Sequence, residues 1–340
     1  MLTVSIKSSA KTSCKPLSVN KLLTHISCDT SVFDRFWPGL VRDKTINSGK
    51  KTSVKLSKEN LDFLKNLKKH IRREYDLFVS YSMLVCVLLK IYERHDERRV
   101  ISLNVKGYKA PSADFKRRIE AISKRILEEL PDIVFLQEFR VGDGDAFLKI
   151  LIKDLKRYYD LILPKNYTEA DCSNCICISL VGKNNNQSKS FKFKDEGDYK
   201  LRYNMLKVGD YTFLNAWMPQ IYSDREKKLD YAEGMWEKVS EIVDHYHGRN
   251  EKFCLIGDLN AYVGGPFENK ILKLSYLMSD TKAMEDMYKA TGPGNVLDYA
   301  FINRFAKETN TVRTTVLRPS IKRAELSDHE ALLMNIRPLA

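Results

Sequence analysis

One stretch limits what this chain can fold into more than any other: Phe253-Cys254-Leu255-Ile256-Gly257-Asp258-Leu259-Asn260. Four successive apolar residues suit a strand buried on both faces, and Gly257 interrupts the run. Asp258 and Asn260 follow two positions apart, so in extended backbone they share a face. A carboxylate beside a carboxamide at a strand's C-terminal edge can bind a metal, polarise a water or hold a phosphate oxygen. The same pair also closes strands as an Asx turn, and the stretch alone leaves both readings open.

Similar units recur along the chain. Val100–Val105 reads as a strand, and Pro111–Asp114 opens a helix with the stripe Ile119, Ile122, Ile126 and Leu130, stopped by Pro131. Ile133–Leu136 is a second buried strand that delivers Gln137 and Glu138, and strand–helix–strand is the mark of an α/β unit. Cys175–Val181, Tyr199–Lys207 and Tyr211–Trp217 read as further strands, the last ended by Met218-Pro219. The clearest helix spans Asp224–His247, with Leu229, Ala232, Trp236, Val239, Val243 and Tyr246 on one stripe and Gly248 as its stop. Val296–Ile302 and Leu332–Ile336 complete the strands.

Charge divides the chain near residues 95–99. Residues 1–100 hold 20 Lys and Arg against 10 Asp and Glu, and the rest hold 37 against 34. The expected organisation is a basic, mainly helical N-terminal region over 1–97 and an α/β domain over 98–340. One helix is expected after Ser57, with Leu61, Leu64, Lys68, Ile71 and Tyr75 at helical spacing, and a second over Phe78–Arg94. A basic extension suits a phosphate backbone, as a solvated face also would. The apolar run Phe78–Leu89 contains Ser80 and Ser82 and falls short of the roughly 20 apolar residues of a membrane span. Seven scattered cysteines argue for a reducing compartment, and Cys172, Cys175 and Cys177 read as strand residues. The start has no secretory apolar core. An intracellular, cytoplasmic protein is expected, with nucleus or organelle open.

Polar side chains keep appearing where strands end: Asn104, Glu138, Asp258, Asn260, Asp298 and the pair Asp328-His329. Carboxylates converging on one rim suit Mg²⁺, or Mn²⁺, which take oxygen ligands. A histidine beside an acid suits proton transfer. The ordered set Asn104-Val105-Lys106, Leu136-Gln137-Glu138, Gly257-Asp258-Leu259-Asn260, Leu297-Asp298-Tyr299 and Ser327-Asp328-His329 resembles the endonuclease/exonuclease/phosphatase (deoxyribonuclease I-like) superfamily. In motif style it is nearest to the exonuclease III-type abasic-site endonucleases.

The resemblance implies a four-layer α/β sandwich, two packed mixed sheets flanked by helices, and Mg²⁺-dependent phosphate-ester hydrolysis. Carried over by position, Glu138 binds the metal with Asn104 and Asp328 nearby. Asp258 deprotonates the attacking water, Asn260 holds a phosphate oxygen, and Asp298 orients His329 against the scissile phosphate. Two positions depart from the family pattern. Trp217 stands where a His or Tyr is usual, and indole cannot act as acid or base. Lys106 stands where those endonucleases carry an Asp, and it can neutralise a phosphate but not ligate a metal. The expected function is a metal-dependent nuclease acting on DNA or RNA. A phosphatase of small or lipid esters on the same fold, or a degenerate nucleic-acid-binding effector, are the alternatives. Gln220, Tyr222 and Arg225 are further candidate substrate contacts, whereas His245 and His247 need only the helix C-terminus they sit on.

Overall fold

A computed structural model describes residues 3–8, 50–55, 58–75, 80–81, 84–85, 88, 97–107, 110–171, 174–183, 188–191, 199–220, 226–262, 265–280, 297–317, 329 and 331–339. The chain divides into two compact units, one of Met1–Asp96 with Leu127–Leu130, the other of Glu97–Ile126 with Pro131–Ala340.

In the first unit, β1 (Thr3–Ser8) pairs antiparallel with β2 (Lys50–Lys55), Val4 facing Val54. This strand pair was absent from the helical expectation, because Val4, Ile6 and Val54 are its only apolar residues and so short an alternation among Ser, Thr and Lys gives little to read. Helix α1 (Lys58–Tyr75) buries Leu64, Leu67 and Ile71 and exposes Lys65, Lys69, Arg72 and Arg73. Leu67 takes the inward place in the stripe that had been given to Lys68, which instead lies 4.9 Å over the Tyr81 ring. Most of the helix expected over Phe78–Arg94 lies outside the described residues, although the Leu84 N–H donates to the Ser80 carbonyl at 3.0 Å.

In the second unit, β3 (Arg98–Asn104) leads through α2 (Ser112–Glu129) to β4 (Ile133–Arg140). Helix α3 (Ala146–Leu155), β5 (Tyr159–Ile162), β6 (Cys175–Gly182), β7 (Ser188–Phe191), β8 (Tyr203–Val208) and β9 (Tyr211–Trp217) follow. Then come α4 (Glu226–Tyr246), β10 (Lys252–Asp258), α5 (Glu268–Leu277), β11 (Ser279–Asp280), β12 (Asp298–Ile302), α6 (Arg304–Thr309), β13 (Asn310–Leu317) and β14 (Ala331–Pro338). They form two six-stranded sheets, β13-β14-β3-β4-β6-β5 and β11-β12-β10-β9-β8-β7. Each sheet holds one parallel pair, β3 with β4 and β9 with β10, and the remaining pairs are antiparallel. In both parallel pairs a helix makes the crossover, as parallel strands require.

The sheets pack face to face. The Phe135 ring of β4 lies 5.6 Å from Phe213 of β9, and Cys254 of β10 approaches Met334 of β14. Outside one sheet, Phe115 of α2 meets Phe139 and Phe147 edge-on. Outside the other, α4 buries Ala232, Met235, Trp236, Val239 and Val243, and its Tyr246 stacks on Phe253 at 4.5 Å. The result is the four-layer α/β sandwich. Edge strands β5, β7 and β13 escape a sequence reading because one face stays wet and β13 alternates Thr, Val and Arg. The strand expected over Tyr199–Lys207 begins at Tyr203, since 199–202 form a turn. Among the described residues no helix is long and apolar enough to cross a membrane.

Candidate active site

Both parallel pairs end at one place. In the second sheet Trp217, Asp258 and Asp298 stand in register on adjacent strands, so the three side chains emerge side by side. Gly257 permits this: its φ is +142°, and a Cβ there would lie 2.1 Å from the Ala216 carbonyl oxygen. In the first sheet Asn104 pairs with Gln137 across β3 and β4. Pairing of β4 with β6 then shifts register between Leu136 and Phe139, and Glu138 takes φ +52°. This bulge re-aims the Glu138 carboxylate toward Asn104.

Asn104 joins the two sheets. Its Nδ2 donates to Asp258 Oδ2 at 2.7 Å and to Glu138 Oε1 at 3.0 Å. Its Oδ1 accepts the Lys106 N–H at 2.8 Å, which fixes which end of the amide faces the acids. Asn104 therefore bridges the two carboxylates through its nitrogen. Asp258 Oδ1 accepts the Asn260 N–H at 3.0 Å, so the Asx turn is real and coexists with the cluster. Asn260, at φ +47°, also donates from Nδ2 to Asp258 Oδ2 at 3.0 Å and to the Met218 carbonyl at 2.8 Å.

Asp258 and Asp298 are 1% and 2% exposed, which is costly for two adjacent carboxylates. Burial pushes the Asp258 carboxyl up to about 7, with Asp298 adding to the rise and His329 and the Asn104 hydrogen bond opposing it. His329 Nδ1 lies 2.7 Å from Asp298 Oδ2, so that nitrogen carries the proton and the ring is held by the carboxylate. Ligand atoms of Asp258, Asp298 and His329 lie within 4.8 Å of one another. Two carboxylates and an imidazole this close, with the Glu138 carboxylate tied to the same amide, are a donor set that a divalent cation such as Mg²⁺ or Mn²⁺ fits.

The sequence-derived residues Asn104, Glu138, Asp258, Asn260, Asp298 and His329 thus share one site. Lys106 sits at its edge, exposed and at φ +49°. Trp217 is buried, and its ring lies 4.0 Å beneath the Arg202 guanidinium. Asp328, Tyr222, Arg225 and Cys172 lie outside the described residues, and Gln220 is exposed. Cys175 and Cys177 are free and belong to β6. His247 Nδ1 reaches the Leu277 carbonyl at 3.1 Å.

Sequence reasoning missed three contributors. Arg202 has no local signature, because its partners Trp217 and Tyr231 come from another strand and from α4. Gln137 Nε2 donates to Asn215 Oδ1 at 2.7 Å and to Ser102 Oγ at 2.9 Å, a buried polar tie between the sheets. Arg118 is the third, holding the carbonyls of Val105 and Lys106.

No curated protein sequence matches the chain. Among solved structures, an AP endonuclease, LMAP from Leishmania major, shares 15% identity over 72% of this chain and 88% of its own, with a TM-score of 0.55. The 3′ phosphatase NExo from Neisseria, bound to a product DNA hairpin, shares 13% over 70% and 98%, with a TM-score of 0.51. Humanized D. rerio TDP2 shares 14% over 71% and 99%, with a TM-score of 0.50. At such identities the likeness speaks for the fold. The profile of the Endonuclease/Exonuclease/phosphatase family matches residues 101–329, from β3 to His329, and the chain belongs to that family.

Proposed function

We propose that the protein is a divalent-cation-dependent hydrolase of phosphodiester bonds in nucleic acid. One observation carries this reading: an amide from one sheet holds two carboxylates from different sheets, beside Asp298 of the next strand, which is paired with the imidazole of His329. Glu138 would hold the cation, with Asp328 completing the acidic rim and Asn104 aligning Glu138 through its Nδ2. Bound there, Mg²⁺ or Mn²⁺ would neutralise charge on the phosphoryl oxygens.

Asp258 is the base. A carboxyl raised to about 7 is matched to taking a proton from water near neutral pH, and Asn104 and Asn260 fix its direction. Asp298 holds the imidazole of His329 and would stabilise its imidazolium form, in which Nε2–H can donate to the phosphoryl group as negative charge develops. Asn260 gives a hydrogen bond to a phosphate oxygen by exchanging one of its two internal bonds. Trp217 offers one N–H and walls off the site, and the exposed Lys106 neutralises substrate charge at the edge. The basic N-terminal region adds affinity for the polyanion.

The test is cleavage of labelled DNA, RNA, abasic DNA, inositol phosphates and phospholipid with Mg²⁺ or Mn²⁺, beside Glu138→Gln and Asp258→Asn. Wild type should cut a polynucleotide, and each variant should lose roughly 10²–10⁴-fold in kcat. Cleavage of only the small or lipid esters moves the assignment to a phosphatase. Equal activity of Glu138→Gln and wild type on polynucleotide refutes the cation site.

A further inference from the structure

We infer that Arg118 is a positioning residue for the carboxylate cluster, acting through the backbone of Lys106 and the amide of Asn104. The inference rests on reading that cluster as the hydrolytic site. Arg118 belongs to α2, away from the strand ends, and is half-buried. Its Nη1 donates to the Val105 carbonyl at 2.9 Å and to the Lys106 carbonyl at 2.8 Å. Two successive carbonyls turned onto one cationic nitrogen fix the residue between them. That residue, Lys106, has φ +49°, a conformation that costs a non-glycine residue free energy and persists only where its surroundings impose it.

The turn is what aims Asn104. In this conformation the Lys106 N–H reaches Asn104 Oδ1 at 2.8 Å, and the amide nitrogen is thereby left facing Asp258 and Glu138. Rotated the other way, the amide would turn its oxygen toward two carboxylates and lose three hydrogen bonds. The following residue locks the same turn to the bulge. The Gly107 N–H donates to the Glu138 carbonyl at 3.0 Å, where a Cβ would come within 2.3 Å of that oxygen. An unbroken series of hydrogen bonds therefore runs from the guanidinium to both acids. None of its links is visible in sequence, since Arg118 otherwise reads as a solvated helix residue.

The experiment combines Arg118→Ala, Arg118→Lys, Asn104→Ala and the double variant Arg118→Ala/Asn104→Ala, each checked for cooperative thermal unfolding. Mn²⁺ binding is measured by titration of its paramagnetic resonance. The exchange of the Asn104 side-chain amide hydrogens is followed by ¹⁵N NMR in metal-free protein. Arg118→Ala should weaken Mn²⁺ binding roughly 10-fold or more, as loss of a supporting hydrogen bond typically does. It should lower kcat with KM for an oligonucleotide little changed, and it should speed exchange of the Asn104 amide. Arg118→Lys, which keeps a cationic donor, should recover most of each effect. In the Asn104→Ala background the same substitution should change Mn²⁺ affinity less than about 2-fold, because its effect passes through that amide. Equal factors in both backgrounds, or unaltered Asn104 exchange in folded Arg118→Ala, would overturn the inference, as would Arg118→Lys behaving no better than Arg118→Ala. A wild type that neither binds Mn²⁺ nor cleaves polynucleotide counts against the proposed function, while the NMR readout still decides the role of Arg118.

Discussion

Asp258 concentrates the physics of the site in one side chain. Its carboxyl is buried beside Asp298 and is pushed up to about 7, so the folded chain keeps a proton that the unfolded chain releases near pH 4. Between those values the native state binds more protons, and stability must fall as pH rises through the window. In EDTA, the melting temperature of wild type should therefore drop relative to Asp258→Asn between about pH 4 and about pH 7 and level off above. Parallel curves would show that the carboxyl is not held protonated. Adding Mg²⁺ at the upper pH should close part of the gap for wild type alone. Gly257 makes a second residue-scale case. An alanine there meets the Ala216 carbonyl and an unfavourable φ, so Gly257→Ala should destabilise by about 3 kcal/mol or more in urea unfolding. A loss below about 1 kcal/mol would mean that β9 and β10 are not so closely apposed.

At the scale of elements, the long helix and the inner strands were readable because each buries a regular pattern. Of the expected α4 stripe, Ala232, Trp236, Val239, Val243 and Tyr246 are buried, whereas Leu229, near the start of the helix, is exposed. Trp236 is fully buried between sheet and Phe267, so Trp236→Ala should cost about 3–5 kcal/mol without changing the slope of urea unfolding. A cost under about 1 kcal/mol would place the helix elsewhere. Edge strand β13 and the pair β1–β2 were not readable, because strands rich in Thr, Ser and Lys lack a run of successive apolar residues. The exposed cations of α1 belong to this scale as well. Removing residues 1–97 should weaken polynucleotide binding and flatten its dependence on salt, measured by fluorescence anisotropy across a salt series. An unchanged slope would take that region out of the binding account.

The whole molecule decides whether the strand ends form a site at all. Two helical crossovers bring β3 beside β4 and β9 beside β10, and face-to-face packing then sets Asn104 2.7 Å from Asp258. Because Glu138 would hold the cation only in the folded chain, Mg²⁺ should raise the melting temperature of wild type, and Glu138→Gln should abolish most of that rise. Full retention of the rise in Glu138→Gln would place the cation elsewhere. The sequence by itself determined which strands are buried and which carry an acid, amide or imidazole at the end, since hydrophobic runs and the residues that stop them are local properties. From it came Asn104, Glu138, Asp258, Asn260, Asp298 and His329. The bulge that turns Glu138, the left-handed turn at Lys106 held by Arg118, and the Arg202–Trp217 stack were settled only in three dimensions. Each depends on a partner far along the chain, and hydrogen-bond direction and burial between such partners exist only once the sheets have packed.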